Sequence, residues 1–217
     1  MDATRYRFAK RARRIGVLPA GLFAGLLLSA LLLIYPLDLF PEMPGGSKYL
    51  ISPLLTTAGA MSADRLGLRC AAGSWRENVW IPLLASFVIG AAILRYDPRS
   101  LAATDYTSLF YYPPKAAAEE LIYRLGVTSC IAFMLSVFSR KRTSLAVSVM
   151  LAATLAQTIN IVLNVPLPAQ NLDYTAIRYL LPGVVWGWLY LRYGFLAAVI
   201  GHVGTHIWLD PILAYVQ

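Results

Sequence analysis

The apolar positions of this chain fall into long blocks, and polar or proline-containing segments separate them. The seven apolar blocks cover residues 16–35, 49–63, 79–94, 116–138, 144–165, 177–190 and 195–209. A helix needs about 20 mainly apolar residues to cross a bilayer core. The pattern therefore predicts an all-α, polytopic transmembrane helical bundle with about seven spans, within a range of six to eight.

Composition narrows the class of protein further. Hydrophobic residues make up 58% of the 217 residues and charged residues 14%, against about 45–50% and about 25% in typical soluble domains. A soluble fold of this size has too little interior to bury so much apolar surface, which excludes an ordinary soluble enzyme. Intrinsic disorder is also excluded, because it requires low hydrophobicity and high charge.

The placement of positive charge predicts the orientation of the bundle. The net charge is +8, and six basic residues precede the first apolar block: Arg5, Arg7, Lys10, Arg11, Arg13 and Arg14, opposed by Asp2 alone. Lys and Arg favour the cytoplasmic side of short loops. We therefore predict a basic cytoplasmic N-terminal segment (1–15) and a single transmembrane domain (16–213), in a bacterial-type inner membrane, with the lipid bilayer rather than nucleic acid as partner.

Full charges occur well inside the predicted spans at one place only, where Glu119, Glu120 and Arg124 follow one another. Such residues are costly in a membrane and are functional candidates. Glu120 and Arg124 are four apart, a favourable spacing for an intrahelical ion pair. Glu119 lies about 100° around the helix without a local partner, as suits a general base. The alternative is that all three lie at a helix end and face headgroups, since Pro114 would start the helix only a few residues earlier. From the start of the block at residue 116, Glu119 is about 5 Å along the helix.

Other polar side chains lie at comparable depths in later spans. His202 and His206, the two histidines of the chain, are four apart and share one helical face. This spacing supplies half of a metal site or a set of hydrogen-bond donors for an oxyanion. Gln157 and Asn160 lie in the fifth block, where amides commonly bind helices together. Glu119, Asn160, His202 and His206 are expected to converge on one cavity.

These residues resemble motifs of a known family. Glu119-Glu120-Leu-Ile-Tyr-Arg124 resembles the EExxxR motif of the CPBP family of CAAX prenyl endopeptidases and bacteriocin-processing intramembrane proteases. Residues 65–69 resemble the LGLR segment of that family, and residues 194–202 its final helix, which carries an HxxxN motif. The resemblance covers residues 65–210.

Two departures accompany the resemblance. The family pattern FxxxH would place Phe at Ala156 and His at Asn160, and the final motif is HxxxH, with His206 where the family has Asn. Gln157 is a second candidate for the missing histidine if the register shifts by three residues. Our hypothesis is that the family's imidazole and amide have exchanged places between two helices.

The resemblance implies a glutamate-dependent peptidase mechanism. By analogy, Glu119 activates the attacking water, Glu120 and Arg124 support it, and a third group of side chains orients the water or stabilises the oxyanion: Asn160, His202 and His206. We expect no cofactor. Zinc held by Glu119, His202 and His206 is the disfavoured alternative, because an amide is a poor zinc ligand.

Three functions remain open from the sequence. The first is an intramembrane endopeptidase that cuts a membrane-associated protein or peptide, of which a prenylated CAAX tail is one option in the family. The second is a catalytically inactive relative that acts as a membrane scaffold or immunity protein. The third is a small transporter, which is less favoured because the sequence shows no internal repeat.

Overall fold

The computed structural model of the chain describes residues 23, 26–27, 47–96, 108–139, 144–164 and 172–215. Within these residues there are six helices and no strand, which confirms the predicted all-α class. They are α1 (Ser47–Leu66), α2 (Arg76–Trp80 and Ile81–Tyr96), α3 (Ser108–Glu119, Glu120–Thr128 and Ser129–Phe138), α4 (Leu145–Asn164), α5 (Leu172–Thr175, Ala176–Leu180 and Leu181–Tyr193) and α6 (Phe195–Tyr215). The predicted basic segment (1–15) and most of the first predicted span (16–35) lie outside the described residues.

Three of the described helical stretches have the length and apolar composition to cross a membrane: Arg76–Tyr96, Phe110–Phe138 and Leu145–Leu163. Phe195–Leu209 is apolar but shorter. The described helices also leave many large apolar side chains exposed, including Phe87, Phe110 and Phe138. An apolar outer surface of this kind is expected for a bundle surrounded by lipid, so the chain is a helical membrane bundle.

The predicted start of α3 is wrong by eight residues. The helix begins at Ser108 rather than at residue 116, and Pro113 and Pro114 lie inside it rather than ahead of it. Proline removes one backbone donor, but membrane helices tolerate it where neighbouring groups compensate. Glu119 consequently lies about 16 Å along the helix from its first residue, not about 5 Å. The alternative in which the acids cap a helix end loses its basis.

The last helix, α6, packs against α2, α3 and α5, and small residues allow the close contacts. A side-chain carbon added at Gly90 would collide with the ring of Trp208, and one added at Gly201 would lie 2.7 Å from the ring of Trp186. Trp186 belongs to a buried cluster formed by α2, α5 and α6. The helix that carries both histidines is therefore held by dense packing on several sides.

The LGLR segment ends α1 and also meets the first turn of α6. Gly67 has a φ of 73°, a left-handed conformation that glycine adopts without strain at a helix end. The carbonyls of Arg69 and Cys70 accept hydrogen bonds from the N–H groups of Phe195 and Leu196, at 3.0 and 2.8 Å. These bonds satisfy donors that a helix start leaves free. The segment thereby fixes where α6 begins.

The turns of α3 widen just after Glu119. Residues Glu120–Thr128 form π-helical turns, in which backbone N–H groups bind carbonyls five residues back. Two hydroxyls use the same spacing: Thr128 Oγ1 donates to the carbonyl of Tyr123 at 2.7 Å, and Ser129 Oγ donates to that of Arg124 at 3.3 Å. Such turns are rare in proteins and recur at functional sites.

The contact between α1 and the widened part of α3 yields a test of the packing. Replacing Gly59 with Ala would drive the new carbon into the backbone of Leu125 and Gly126. We expect Gly59→Ala to destabilise the protein by about 1–3 kcal/mol, because backbone cannot move aside as a side chain can. Thermal unfolding in detergent micelles measures the effect. Gly73→Ala, whose added carbon meets nothing within 4 Å, is the matched control, and equal stability of both variants would contradict the packing.

Candidate active site

A cavity of about 320 Å³ lies among five of the six described helices. All four side chains that were expected to converge line it: Glu119 from α3, Asn160 from α4, and His202 and His206 from α6. Each of the four is partly buried. A carboxylate, an amide and two imidazoles thus share one enclosed volume within an apolar bundle.

The two adjacent acids face different surroundings. Glu119 lines the cavity, whereas the Glu120 side chain is only 2% exposed and lies inside the bundle. Among the residues that the structure describes, Glu119 forms no hydrogen bond or ion pair. Glu120 Oε1 lies 3.0 Å from Nδ1 of His202. One acid is therefore available to a bound molecule, and the other holds a histidine.

His202 is fixed in orientation by two contacts. An ionised carboxylate only accepts hydrogen bonds, so opposite an ionised Glu120 the Nδ1 atom carries the proton. The imidazole also stacks on Trp186, with ring centroids 6.2 Å apart and planes inclined by 18°. This arrangement leaves Nε2 as the ring nitrogen directed away from Glu120, and a carboxylate behind a histidine commonly sets both its tautomer and its ring orientation.

His206 lies one helical turn further along α6, at the same cavity. Its ring centroid is 5.4 Å from that of His202, and it stacks on Tyr112 of α3 at 5.5 Å with planes inclined by 14°. The aromatic ring restricts the rotation of the imidazole. The two histidines are thus held side by side, each against an aromatic ring from a different helix.

Arg124 is buried beneath the cavity and connects three helices. Its Nε lies 3.6 Å from Glu120 Oε2, within the range of an ion pair but long for a hydrogen bond. Its Nη2 donates to Gln157 Oε1 at 2.9 Å and to the carbonyl of Gly183 at 3.0 Å. A carbon added at Gly183 would collide with the Gln157 side chain. Gln157 therefore has a defined place beside Arg124, and both Gln157 and Asn160, about one turn further on, line the cavity.

Among the described residues, no group of three or more His, Cys, Asp or Glu side chains is arranged to hold a metal ion. Glu119, His202 and His206, the alternative zinc ligands from the sequence, form no such group.

Several residues at the cavity were not identified from the sequence. Lys115 and Arg178 line it together with the aromatic side chains Tyr112, Tyr179 and Trp186. Lys115 lies four residues before Glu119, a spacing that puts both on one helical face. The apolar block suggested that Arg178 lies at a helix end, whereas α5 begins six residues earlier, at Leu172. Both residues were missed because the predicted helices were too short. With the helix starts that the structure shows, both cations lie at the level of the cavity.

Comparison with protein families matched one model, described as type II CAAX prenyl endopeptidase Rce1-like, over residues 106–208. The matched region begins just before α3 and ends within α6, so it contains every candidate site residue. It does not include the LGLR segment. Comparisons with curated proteins and with solved structures found no match.

The contrast between the two acids leads to a prediction about stability. Glu120→Ala should destabilise the protein by about 3–5 kcal/mol, because it leaves Arg124 buried without its acid. Glu119→Ala, at a side chain facing the cavity, should change stability by less than about 1 kcal/mol. Thermal unfolding of the purified protein in detergent micelles measures both.

A double variant separates lost charge from lost packing. Replacing Glu120 and Arg124 together with Met removes both charges, and we expect this variant to be more stable than either single replacement. A double variant that loses the full sum of the two single losses would show that the two charges do not interact.

Proposed function

We propose that this chain hydrolyses peptide bonds within the membrane through Glu119. The proposal starts from the match of residues 106–208 to the type II CAAX prenyl endopeptidase Rce1-like family, which supports the CPBP resemblance. The family is one of peptidases. The more specific proposal is a glutamate-dependent intramembrane endopeptidase that acts on a membrane-associated protein or peptide.

The observation that carries the proposal is the environment of the Glu119 side chain. This carboxylate lines a cavity with an amide and two imidazoles and has no partner among the described residues. An inactive scaffold or immunity protein has no need for an unpaired carboxylate in an apolar bundle, where such a group costs free energy. A peptidase needs one within reach of a water molecule and of the scissile carbonyl.

The proposed reaction begins when Glu119 takes a proton from water. The water oxygen forms a bond to the carbonyl carbon of the scissile peptide, and the carbonyl oxygen becomes an oxyanion. Side-chain N–H groups of Asn160 and His206 then stabilise the oxyanion, since fixed donors act strongly in a site of low dielectric. Glu119 passes its proton to the peptide nitrogen, and the C–N bond breaks to give a carboxylic acid and an amine, between which a proton moves to leave a carboxylate and an ammonium group.

His202 has a different part in this proposal. With Nδ1 donating to Glu120, a neutral imidazole presents the Nε2 lone pair, which accepts a hydrogen bond from the attacking water. Glu120 and Arg124 act through His202 and do not touch the substrate, so they are positioning residues. The imidazole and the Glu119 carboxylate together orient the water before it reacts.

We further propose that the chain lies in a bacterial-type inner membrane with its N-terminus in the cytoplasm. The basic residues before the first apolar block support this orientation, and so do Arg140, Lys141 and Arg142 between the fourth and fifth blocks. The substrate then has its cleavage site near or within the membrane, where the cavity is enclosed by helices α2 to α6.

Replacement of the proposed base is the first test. Glu119→Gln preserves the shape of the side chain but removes its ability to take a proton, and we expect cleavage to fall about 10²–10⁴-fold. Terminal peptide profiling compares membranes from cells that carry the wild type or the variant, and the uncut substrate accumulates in the latter. Asp173→Asn, on an exposed carboxylate of α5, is the matched control. Full activity of Glu119→Gln would refute the peptidase mechanism.

The exchange of imidazole and amide is tested separately. We expect Asn160→Ala and His206→Ala each to lower the rate about 10²–10³-fold, as removal of an oxyanion donor does in other hydrolases. Cleavage rates of the purified variants, with unfolding temperatures to show that each is folded, provide the measurement. Wild-type rates in both variants would overturn the exchange hypothesis while leaving the role of Glu119 intact.

A further inference from the structure

The cavity contains two cations that the proposed reaction does not use. Among the residues that the structure describes, Lys115 on α3 and Arg178 on α5 both line it, together with one carboxylate, Glu119. Glu120 and Arg124 are buried beneath the cavity and offset each other. The described part of the lining therefore carries an excess of positive charge.

Among the residues that the structure describes, neither Lys115 nor Arg178 forms an ion pair. Each is half-buried and lies against an aromatic ring: Lys115 Nζ is 5.7 Å from the centre of Tyr111, and the Arg178 guanidinium is 5.9 Å from that of Tyr179. Rings of this kind orient a cation but do not neutralise it. Two partly desolvated cations thus face the same enclosed volume as the proposed base.

We propose that Lys115 and Arg178 form an anion-binding subsite that holds a carboxylate group of the peptide substrate. This inference rests on the proposed function, since it takes a peptide as the occupant of the cavity. The anionic groups of an unmodified peptide are carboxylates, either at the C-terminus or on Asp and Glu side chains. The shared chemistry is a carboxylate bound by a guanidinium and an ammonium group.

The position of Lys115 limits where that carboxylate lies along the substrate. Lys115 is four residues before Glu119 on α3, which separates the two backbone positions by about 6 Å along the helix axis. An extended peptide advances about 3.3 Å per residue. The bound carboxylate therefore belongs about two residues from the scissile bond, and the subsite selects where the chain is cut.

The test measures binding apart from cleavage. Two pools of hydrophobic peptides, identical except that one ends in free carboxylates and the other in amides, are passed over immobilised Glu119→Gln protein in detergent. We expect the carboxylate pool to be retained about tenfold more tightly. Lys115→Gln and Arg178→Gln, each in the same background, should lower that preference about tenfold, and Lys115→Arg and Arg178→Lys should largely preserve it.

A third pool separates the two sources of the carboxylate. It consists of amidated peptides with one Glu among the last residues, matched to peptides with Gln at that position. Preference for free carboxylates alone assigns the subsite to the peptide terminus, and an equal preference for Glu over Gln extends it to side chains. Arg76→Gln, at an exposed arginine of α2 outside the cavity, is the control for loss of a positive charge and should bind as the parent does.

The outcomes distinguish failure of the proposed subsite from failure of the proposed peptidase activity. Equal retention of all pools, no retention of any pool, or a preference that survives loss of both cations would overturn the subsite. None of these results tests the proposed role of Glu119 as the base, which is measured by the cleavage activity of the wild-type protein. Retention that depends on Lys115 and Arg178, in a protein that cleaves no peptide, would support the subsite as a binding site and refute the proposed hydrolysis. A preference abolished by phosphatidylglycerol vesicles but not by phosphatidylcholine vesicles would reassign the cations to lipid headgroups and overturn the proposal.

Discussion

Burial of a carboxylate and a guanidinium in an apolar bundle is the constraint on which the arrangement of the site depends. Glu120 and Arg124 are both nearly inaccessible, and at 3.6 Å they do not satisfy each other fully. Each therefore needs partners from other helices, since an incompletely paired buried charge is costly. Glu120 takes His202 from α6, while Arg124 takes Gln157 from α4 and the Gly183 carbonyl from α5. The requirement to neutralise two charges thus ties three helices to α3.

The same constraint separates the two adjacent acids. Because Glu120 must face the interior to reach Arg124 and His202, Glu119 is turned about 100° away from it and lines the cavity. The widened turns begin at Glu120, and hydroxyls of the same helix support them. Dense contacts between α6 and its neighbours then set the depth of the two histidines. The hydrogen bonds that the first N–H groups of α6 donate to the carbonyls of Arg69 and Cys70 also contribute. An available carboxylate beside oriented imidazoles is a consequence of the buried pair.

The sequence was informative where the signal is local to one helix. Apolar blocks identified the described helices, and the four-residue spacing identified the interaction of Glu120 with Arg124. The start of α3 was wrong because two prolines usually mark the beginning of a helix, whereas here earlier turns precede them. The partners of Arg124 were beyond prediction, since the meeting of Gln157 with Gly183 depends on the register between α4 and α5. Lys115 and Arg178 were not identified, because Lys115 precedes the fourth block and Arg178 is only the second residue of the sixth, so the blocks were too short to show their depth.

The proposed exchange of an imidazole and an amide is physically consistent with a difference between two kinds of polar side chain: those that the buried pair binds and those that line the cavity. His202 is the imidazole that meets Glu120, and an amide at that position would not present a second ring nitrogen on the side away from the carboxylate. Asn160 and His206 carry no such obligation to the buried pair, although each has its own contacts. Both line the cavity, one from α4 and the other from α6, and in the proposed reaction both supply N–H donors. How strongly a donor stabilises the oxyanion depends on its distance from the reacting oxygen and on the exclusion of water around it. Either of the two helices can therefore supply the donor.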